Sequence, residues 1–535
     1  MGEANNYWTD YNCQVKVGVF DDNGTFHLIS TINTNRQRFT SYLVSFDGYE
    51  GAGRIAFLVE PPQQFGSRCY TSLVKIDNVS VTPKISYKAF IADGNWNEPS
   101  CWENGEMPTS ASDNVLIKAA AIIPSGCSVD VNVIEFDGSN ASLTIEDGGQ
   151  LKHNNSGLQA VVEKHIDPYT EGQSDQWNLI AMPIMEEKDV YYVNNMGNGE
   201  YDLYYFDQAS EDAEWRNYKD YQNGWYSLVP KKGYLYANAD EVTLEFGGTL
   251  FPTNADQTVS LDYIEGKRWK GWNLIGNPFA CQAYLANGMT YYRMNAGGTA
   301  FESAQAGTPI ASMEGVFVKA TGNGQTAVFT TTPQRSNGQM NIRLNHGQNY
   351  VDNAIIGFGE GSTLLKVMFN PNASKVYFAE DKGDYSIIRV GKSGEQALNF
   401  VASENGSYTL TFSLDEVEMS YLHLIDNLTG ADVDLLKEPS YTFNASTTDY
   451  ACRFKLVFNA NMTTGTSNFA FFNGSEWTIG NEGEATLQIV DMLGRILVSE
   501  TINGNASVSI SETSGVYVLR LINGEEVKTQ KIVIK

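Results

Sequence analysis

Apolar and polar residues alternate in short runs along almost all of this 535-residue chain, broken by tight turns. The stretch Gly515 to Lys535 shows the pattern most plainly. Gly-Val-Tyr-Val-Leu-Arg-Leu-Ile leads into Asn-Gly-Glu-Glu, and Val-Lys-Thr-Gln-Lys-Ile-Val-Ile-Lys follows. Two alternating runs across an Asn-Gly turn spell a β-hairpin. Thr486 to Val498 spells another around Met492-Leu493-Gly494-Arg495. Apolar stretches with a 3.6-residue period are nearly absent, so helices would have little to bury. The expected fold class is all-β: a multidomain chain of β-sandwiches and jelly rolls with a short β-solenoid segment. Strand content should exceed about 40 %, against a usual 20–25 %.

The C-terminal hairpins carry spaced landmarks: Asp491, Gly494 and Arg495, then Gly515, Tyr517 and Arg520, then Lys531, Ile532, Val533 and Ile534. This pattern resembles the C-terminal sorting domain of the type IX (Por) secretion system of Bacteroidetes, over residues 468–535. The resemblance implies export through the periplasm to the outer-membrane surface or the extracellular space. It also implies capture by the type IX outer-membrane machinery, with those ten residues as the sorting signal.

A formal charge of −27 argues against nucleic acid and against anionic membranes, both of which need clustered Lys and Arg. No apolar run is long enough for a transmembrane helix. The opening Met1-Gly-Glu-Ala-Asn-Asn is polar and acidic, unlike a signal peptide, so Met1 is expected to be a truncated or artificial start. Six cysteines lack any CxxC spacing. Cys13–Cys69 and Cys101–Cys127 are candidate disulfides, and buried free thiols are the equal alternative.

Five pieces and a linker follow from the spacing of β runs. Residues 1–85 hold the runs Gln14–Phe20, Phe39–Ser45, Arg54–Val59 and Val74–Val81. Their order resembles the second half of a cleaved-adhesin or MAM-like jelly roll. Residues 90–168 open with Gly94, Trp96, Trp102, Gly105, Pro108 and Asp113-Asn-Val-Leu-Ile117. That opening is similar to segments before short β-solenoids in secreted adhesins, and stacked coils are expected. Trp96 and Trp102 read either as a sugar-stacking pair or as a cap on an open solenoid end, with the cap favoured.

Residues 172–338 contain a duplication: Gln176-Trp-Asn-Leu-Ile-Ala-Met-Pro183 returns as Gly271-Trp-Asn-Leu-Ile-Gly-Asn-Pro278. A Tyr-rich run, a Gly-aromatic run and an apolar run follow each copy in the same order. Two similar β units are expected, with both tryptophans, Trp177 and Trp272, in the core. The repeats resemble modules that precede sorting domains in Bacteroidetes surface proteins. Tyr204, Tyr205, Trp215, Tyr221, Trp225 and Tyr226 read as core, with a carbohydrate platform as the alternative. Residues 340–460 resemble another sandwich of the same kind. A polar linker, 461–467, separates it from the C-terminal piece.

Chemistry is sparse. Five histidines (His27, His153, His165, His346, His423) fall in different pieces, and HExxH and Gly-x-Ser-x-Gly are absent. His423 alternates with Leu422 and Leu424, which points it outward. Gly391-Lys392-Ser393 lacks the glycine spacing of a phosphate loop and reads as a hairpin turn. Asp426, Asp432 and Asp434 cluster near a turn. A structural calcium there is the alternative to Asp426 bonding its own turn backbone. No catalytic, cofactor or metal residue is expected. The functional expectation is the non-catalytic C-terminal region of a secreted or cell-surface protein: an adhesin-like stalk with a glycan or an extracellular protein as ligand. The alternative is an accessory region of a secreted peptidase or glycoside hydrolase whose catalytic domain lies upstream.

Overall fold

The computed structural model describes residues 13–34, 42–46, 49, 53–59, 76, 79 and 86–534, without 212, 221–226, 335–337, 368, 371, 462–469, 473–476, 480, 482, 492–493, 504–505, 509–514 and 525. Strand makes up 54 % of these residues, and the only helical turns among them are short 3-10 segments. The chain divides into two compact units, residues 1–85 and 86–535.

In the first unit Cys13–Phe20 lies between Phe26–Thr34 and Arg54–Val59, antiparallel to both. Val15, Val17 and Val19 point inward from the middle strand. The strand Phe26–Thr34 was not among the expected runs, because its apolar residues do not alternate cleanly. Tyr42–Ser45, expected as strand, carries none. The run Val74–Val81 lies largely outside the described residues.

The second unit begins with the solenoid. Tyr87–Phe90, Asn114–Ile117 and Val133–Phe136 stack in parallel. So do Gly94–Asn95, Ala120–Ile123, Ser142–Ile145 and Gln159–Ile166 on a second wall. Ser128–Asp130 and Gln150–Lys152 pair on a third. Val115, Ile117, Ala121, Ile123, Leu143, Ile145 and Leu151 fill the bore. Asparagine side chains bridge successive coils, Asn132 to Asn114 at 2.9 Å and Asn154 to Asn132 at 3.0 Å. Each satisfies polar groups that stacking would otherwise leave bare. Trp96 and Trp102 close the leading end beside Phe90. They meet edge to face at 4.9 Å, and the Trp102 indole N–H donates to the Trp96 carbonyl at 2.8 Å. Both are buried, as a cap must be.

The two Trp-Asn-Leu-Ile copies occupy equivalent strands. In the first, Asn178–Ala181 pairs with Gly233–Asn238, which pairs with Tyr201–Phe206, which pairs with Trp215–Asn217. In the second the order is Trp272–Gly276, Gly315–Lys319, Tyr291–Met294, Phe301–Ala304. Each unit also has an apolar closing strand that pairs with the strand before the Trp-Asn-Leu-Ile word. Val242–Thr249 pairs with Gln159–Ile166, and Thr326–Thr330 with Gln257–Ser260. The first of those opening strands is the last wall strand of the solenoid. One continuous core therefore runs from Phe90 through the solenoid into Tyr234, Tyr236 and Phe246 of the first repeat.

The repeats join about a local twofold axis. Ile180 bridges Glu314, and Ile275 bridges Lys232. The Ala181 N–H donates to the Met313 carbonyl, and the Gly276 N–H donates to the Lys231 carbonyl, both at 2.9 Å. Contacts made twice with the roles exchanged are what twofold symmetry produces. Ala181, Gly233, Gly276 and Gly315 line the seam. A Cβ on Gly276 would stand 2.3 Å from that of Ala181, so the seam closes only around small residues.

Residues 339–461 form an 11-stranded sheet that curls toward a barrel. Asn349–Phe358 and Gly383–Val390 run parallel within it. Gly391 and Lys392 do not make a hairpin turn: the strands they join, Gly383–Val390 and Ser393–Val401, both pair with Lys375–Glu380, which lies between them. The connection crosses that middle strand. On the barrel's outside, Phe369 enters an aromatic cage from both repeats. It stacks on Trp269 at 4.6 Å and meets Phe301 at 4.8 Å, Phe317 at 5.0 Å and Phe206 at 5.8 Å. Such packing contributes through both area and ring geometry.

Candidate functional site

The C-terminal sandwich gathers the landmarks that the sequence singled out. One sheet runs Ile496–Asn503, Glu484–Asp491, Gly515–Asn523, Glu526–Ile534, all antiparallel. Ala470–Phe472, Trp477–Ile479 and Ala506–Val508 form the other. Leu487, Ile489, Tyr517, Leu519, Leu521 and Ile532 share a core with Ala470, Ile479 and Val508.

The landmarks sort into two kinds. Asp491, Gly494 and Arg495 make one turn. The Asp491 carboxylate accepts the Arg495 backbone N–H at 2.9 Å and the Arg495 side-chain Nε–H at 2.6 Å. Gly494 has φ of +84°, a left-handed conformation that glycine adopts without strain. Gly515 makes room for the ring of Tyr517 two residues on, whose atoms would lie 3.2–3.4 Å from any Cβ there. Ile532 is buried beside them. These six residues shape the domain.

Arg520 and Lys531 are different. Along Gly515–Asn523 the buried residues are Tyr517, Leu519 and Leu521, so Arg520 falls on the outer face. Lys531 stands opposite Val518 and is exposed. The two cations therefore occupy neighbouring positions on one outer surface. Val533 and Ile534 continue the same strand, opposite Val516 and Gly515. Among the described residues, Glu526–Ile534 pairs on one side only and is a sheet edge. Its Gln530 amide reaches across the sandwich, accepting from the Ala470 N–H at 2.9 Å and donating to the Ala470 carbonyl at 2.7 Å.

The acidic turn of the barrel is built around an arginine. Both Asp426 oxygens accept from buried Arg453, at 3.1 and 2.9 Å, and Oδ1 also accepts the Leu428 N–H at 3.0 Å. Burial pushes the Asp426 carboxyl up, but these hydrogen bonds outweigh it and hold it below the usual carboxylate range. Asp432 pairs with His423 at 2.7 Å and Asp434 with Lys437 at 2.7 Å. Each of the three carboxylates thus has its own side-chain partner.

The histidines stay apart. His346 pairs with Glu404 and stacks on Tyr408. His423 stacks on Tyr421, half-buried on its strand. Burial pushes the His153 imidazole down to about 4, so it is neutral at ordinary pH. Cys101 and Cys127 do not pair; both are free thiols, with Cys101 buried near the Trp cap. Cys69, and with it the candidate bond to Cys13, lies outside the described residues.

One expectation fails in an informative way. Trp272 is buried at 5 % exposure, but Trp177 is only half-buried and is not a core residue. It lines a cleft of about 550 Å³ between the repeats and the barrel. Trp215, Phe301 and Phe369 form an apolar wall, and Asn370, Asn372, Ser374 and Thr299 supply polar groups. Of the proposed aromatic platform, Tyr204, Tyr205 and Trp215 are half-buried, and Tyr221, Trp225 and Tyr226 lie outside the described residues. Sequence reasoning missed the cleft because its lining is drawn from stretches between Ser174 and Glu404 that carry no shared motif.

Residues 473–535 match a family described as a secretion system C-terminal sorting domain. No curated protein matches the chain. A solved structure titled "Biofilm associated protein - BSP domain" aligns over 71 % of this chain and 96 % of its own at 8 % identity, with a TM-score of 0.11, too low for a shared fold.

Proposed function

We propose that this chain, which carries a C-terminal sorting domain of the type IX secretion system and so is exported to the cell surface or extracellular space, acts as a non-catalytic, adhesin-like stalk with binding modules. The observation behind this reading is the contrast between the terminal sandwich and everything before it. The sandwich has its own core. The upstream β units interlock through shared cores, and buried charges within them are matched in ion pairs, Lys366 with Asp352 and Arg453 with Asp426.

The sorting signal divides by role. Asp491, Gly494, Arg495, Gly515, Tyr517 and Ile532 fold the domain, and Arg520 and Lys531 on the edge hairpin meet the secretion machinery. An exposed strand edge offers backbone pairing, and flanking cations add charge selection.

The test is fractionation of a type IX-competent host expressing the chain behind a signal peptide. Deleting residues from Asn468 onward should leave the remainder folded and held in the periplasm. Arg520→Glu with Lys531→Glu should retain the periplasmic form with unchanged melting. Gly515→Val should lower melting as well as export. Equal surface display of the full-length and deleted proteins would sink the sorting role. Turnover of casein, or of plant or mucin glycans, by the purified chain would sink the non-catalytic stalk.

A further inference from the structure

The cleft between the repeats and the barrel has the chemistry of a sugar site, and we propose that it binds a neutral oligosaccharide. The proposal rests on the adhesin-like reading and gives that stalk a specific binding surface.

The first argument is preorganisation. Trp177 is fixed although half-exposed. Its backbone N–H donates to the Gly298 carbonyl at 3.2 Å, and its indole N–H donates to the Ser174 hydroxyl at 3.3 Å. Its edge meets Tyr204 at 6.0 Å. A ring held this way loses little freedom on binding. No packing requirement explains it, since the equivalent Trp272 is fully covered.

The second argument is charge. The ionisable groups that line the cleft already have partners. Lys366 lies 2.6 Å from Asp352, His346 lies 3.0 Å from Glu404, and Lys375 lies 3.9 Å from Asp384. A phosphate, sulfate or carboxylate ligand would have to compete with these pairs. A neutral ligand would not.

The third argument is the mixture of groups. Indole and phenyl surfaces on one wall suit the C–H faces of a pyranose ring. The side-chain amides of Asn370 and Asn372, which also line the cleft, suit its ring of hydroxyl groups, each donor and acceptor at once. The exposed side chains of Asn370 and Asn372 would lose their water to a purely apolar ligand and gain no partner in return. The volume, about 550 Å³, falls within the roughly 300–1,000 Å³ range of small-ligand sites.

The experiment is calorimetric titration of the full chain with neutral trisaccharides (cellotriose, maltotriose, chitotriose) and with sialyllactose and a polyproline peptide as contrasts. At least one neutral trisaccharide should bind. Trp177→Ala should weaken that binding at least tenfold with unchanged melting, and Trp177→Phe should restore it to within about threefold. Binding by none of the neutral sugars overturns the proposal. So does preferential binding of the charged sugar or the peptide, and so does sugar binding that Trp177→Ala leaves intact. Adhesion of the unaltered protein to mucin-coated surfaces, run in parallel, separates the two readings: sugar binding without adhesion would keep this site and discard the stalk, and adhesion without sugar binding would do the reverse.

Discussion

The two Trp-Asn-Leu-Ile repeats share a backbone and differ in what covers it. Asn178 and Asn273 each donate to the carbonyl two residues back, both at 2.8 Å. Lys231 and Met313 both take positive φ before the Gly-aromatic strand. Yet Trp272 is core and Trp177 is surface. The cause lies one strand away. Lys319 stands opposite Trp272 and lays its ammonium 4.7 Å over the indole. The equivalent position in the first repeat is Ala237, which covers nothing. A second pair differs in the same way. Arg293 and Glu314 form a bidentate ion pair at 2.8 and 2.7 Å. At the matching positions of the first repeat, Lys232 sits 4.5 Å over the ring of Tyr205. Duplication kept the hydrogen bonds, and side-chain replacement turned one copy into packing and the other into a cleft wall.

The tryptophans separate the repeats most widely. Trp272→Ala should cost about 3–5 kcal/mol, as buried aromatic truncations do. Trp177→Ala should stay within about 1 kcal/mol. Denaturant titration gives both values, and equal losses would erase the distinction.

The ion pairs come next. Glu314→Gln leaves the guanidinium of Arg293 short of an acceptor and should cost about 1.5–3 kcal/mol. Lys232→Met in the first repeat gives up a cation–π contact and should cost about 0.5–1 kcal/mol. Thermal melts of the two variants rank them.

The seam offers a finer test. Gly276→Ala should cost about 1–3 kcal/mol through crowding against Ala181 and the Lys232 carbonyl. Adding Ala181→Gly should recover the part due to the methyl–methyl clash, because the twofold axis exchanges the two sites. A double variant as unstable as the sum of its parts would argue against that axis.

A further difference depends on pH. Burial lowers the Lys319 ammonium to about 8, from 10.5. Its folded value lies below its unfolded one, so the unfolded chain holds the proton more tightly. Stability should rise as pH climbs from 8 to 10.5 and flatten beyond. Lys319→Met should remove that slope, and Ala237→Met in the first repeat should leave it untouched. Denaturation midpoints across that range decide.

What could be read in the sequence was local. The turn chemistry at Asp491-Met-Leu-Gly-Arg495, the alternation in Gly515–Asn523 and the repeated Trp-Asn-Leu-Ile words each depend on neighbours within a few residues. The solenoid cap was legible because Trp96 and Trp102 sit beside the first coil. Exposure of Trp177 was not, since it turns on which residue stands at 237, some sixty positions away. The cleft asks for even more: Ser174 and Glu404 meet only once the barrel is folded. The Phe26–Thr34 strand escaped because its hydroxyl and amide residues interrupt the period of two. The partner of Gln159–Ile166, more than seventy residues on, had no sequence signature at all.

That last pairing matters to anyone cutting the chain. A fragment begun at residue 172, where composition suggests a junction, would carry Val242–Thr249 without its antiparallel mate. Eight residues of open strand, with Leu244 and Phe246 on the side that should be covered, invite intermolecular stacking. A recombinant repeat module would be better started before Gln159 and ended after Thr330. By the same logic, natural shuffling of this module would have carried a solenoid strand along with it.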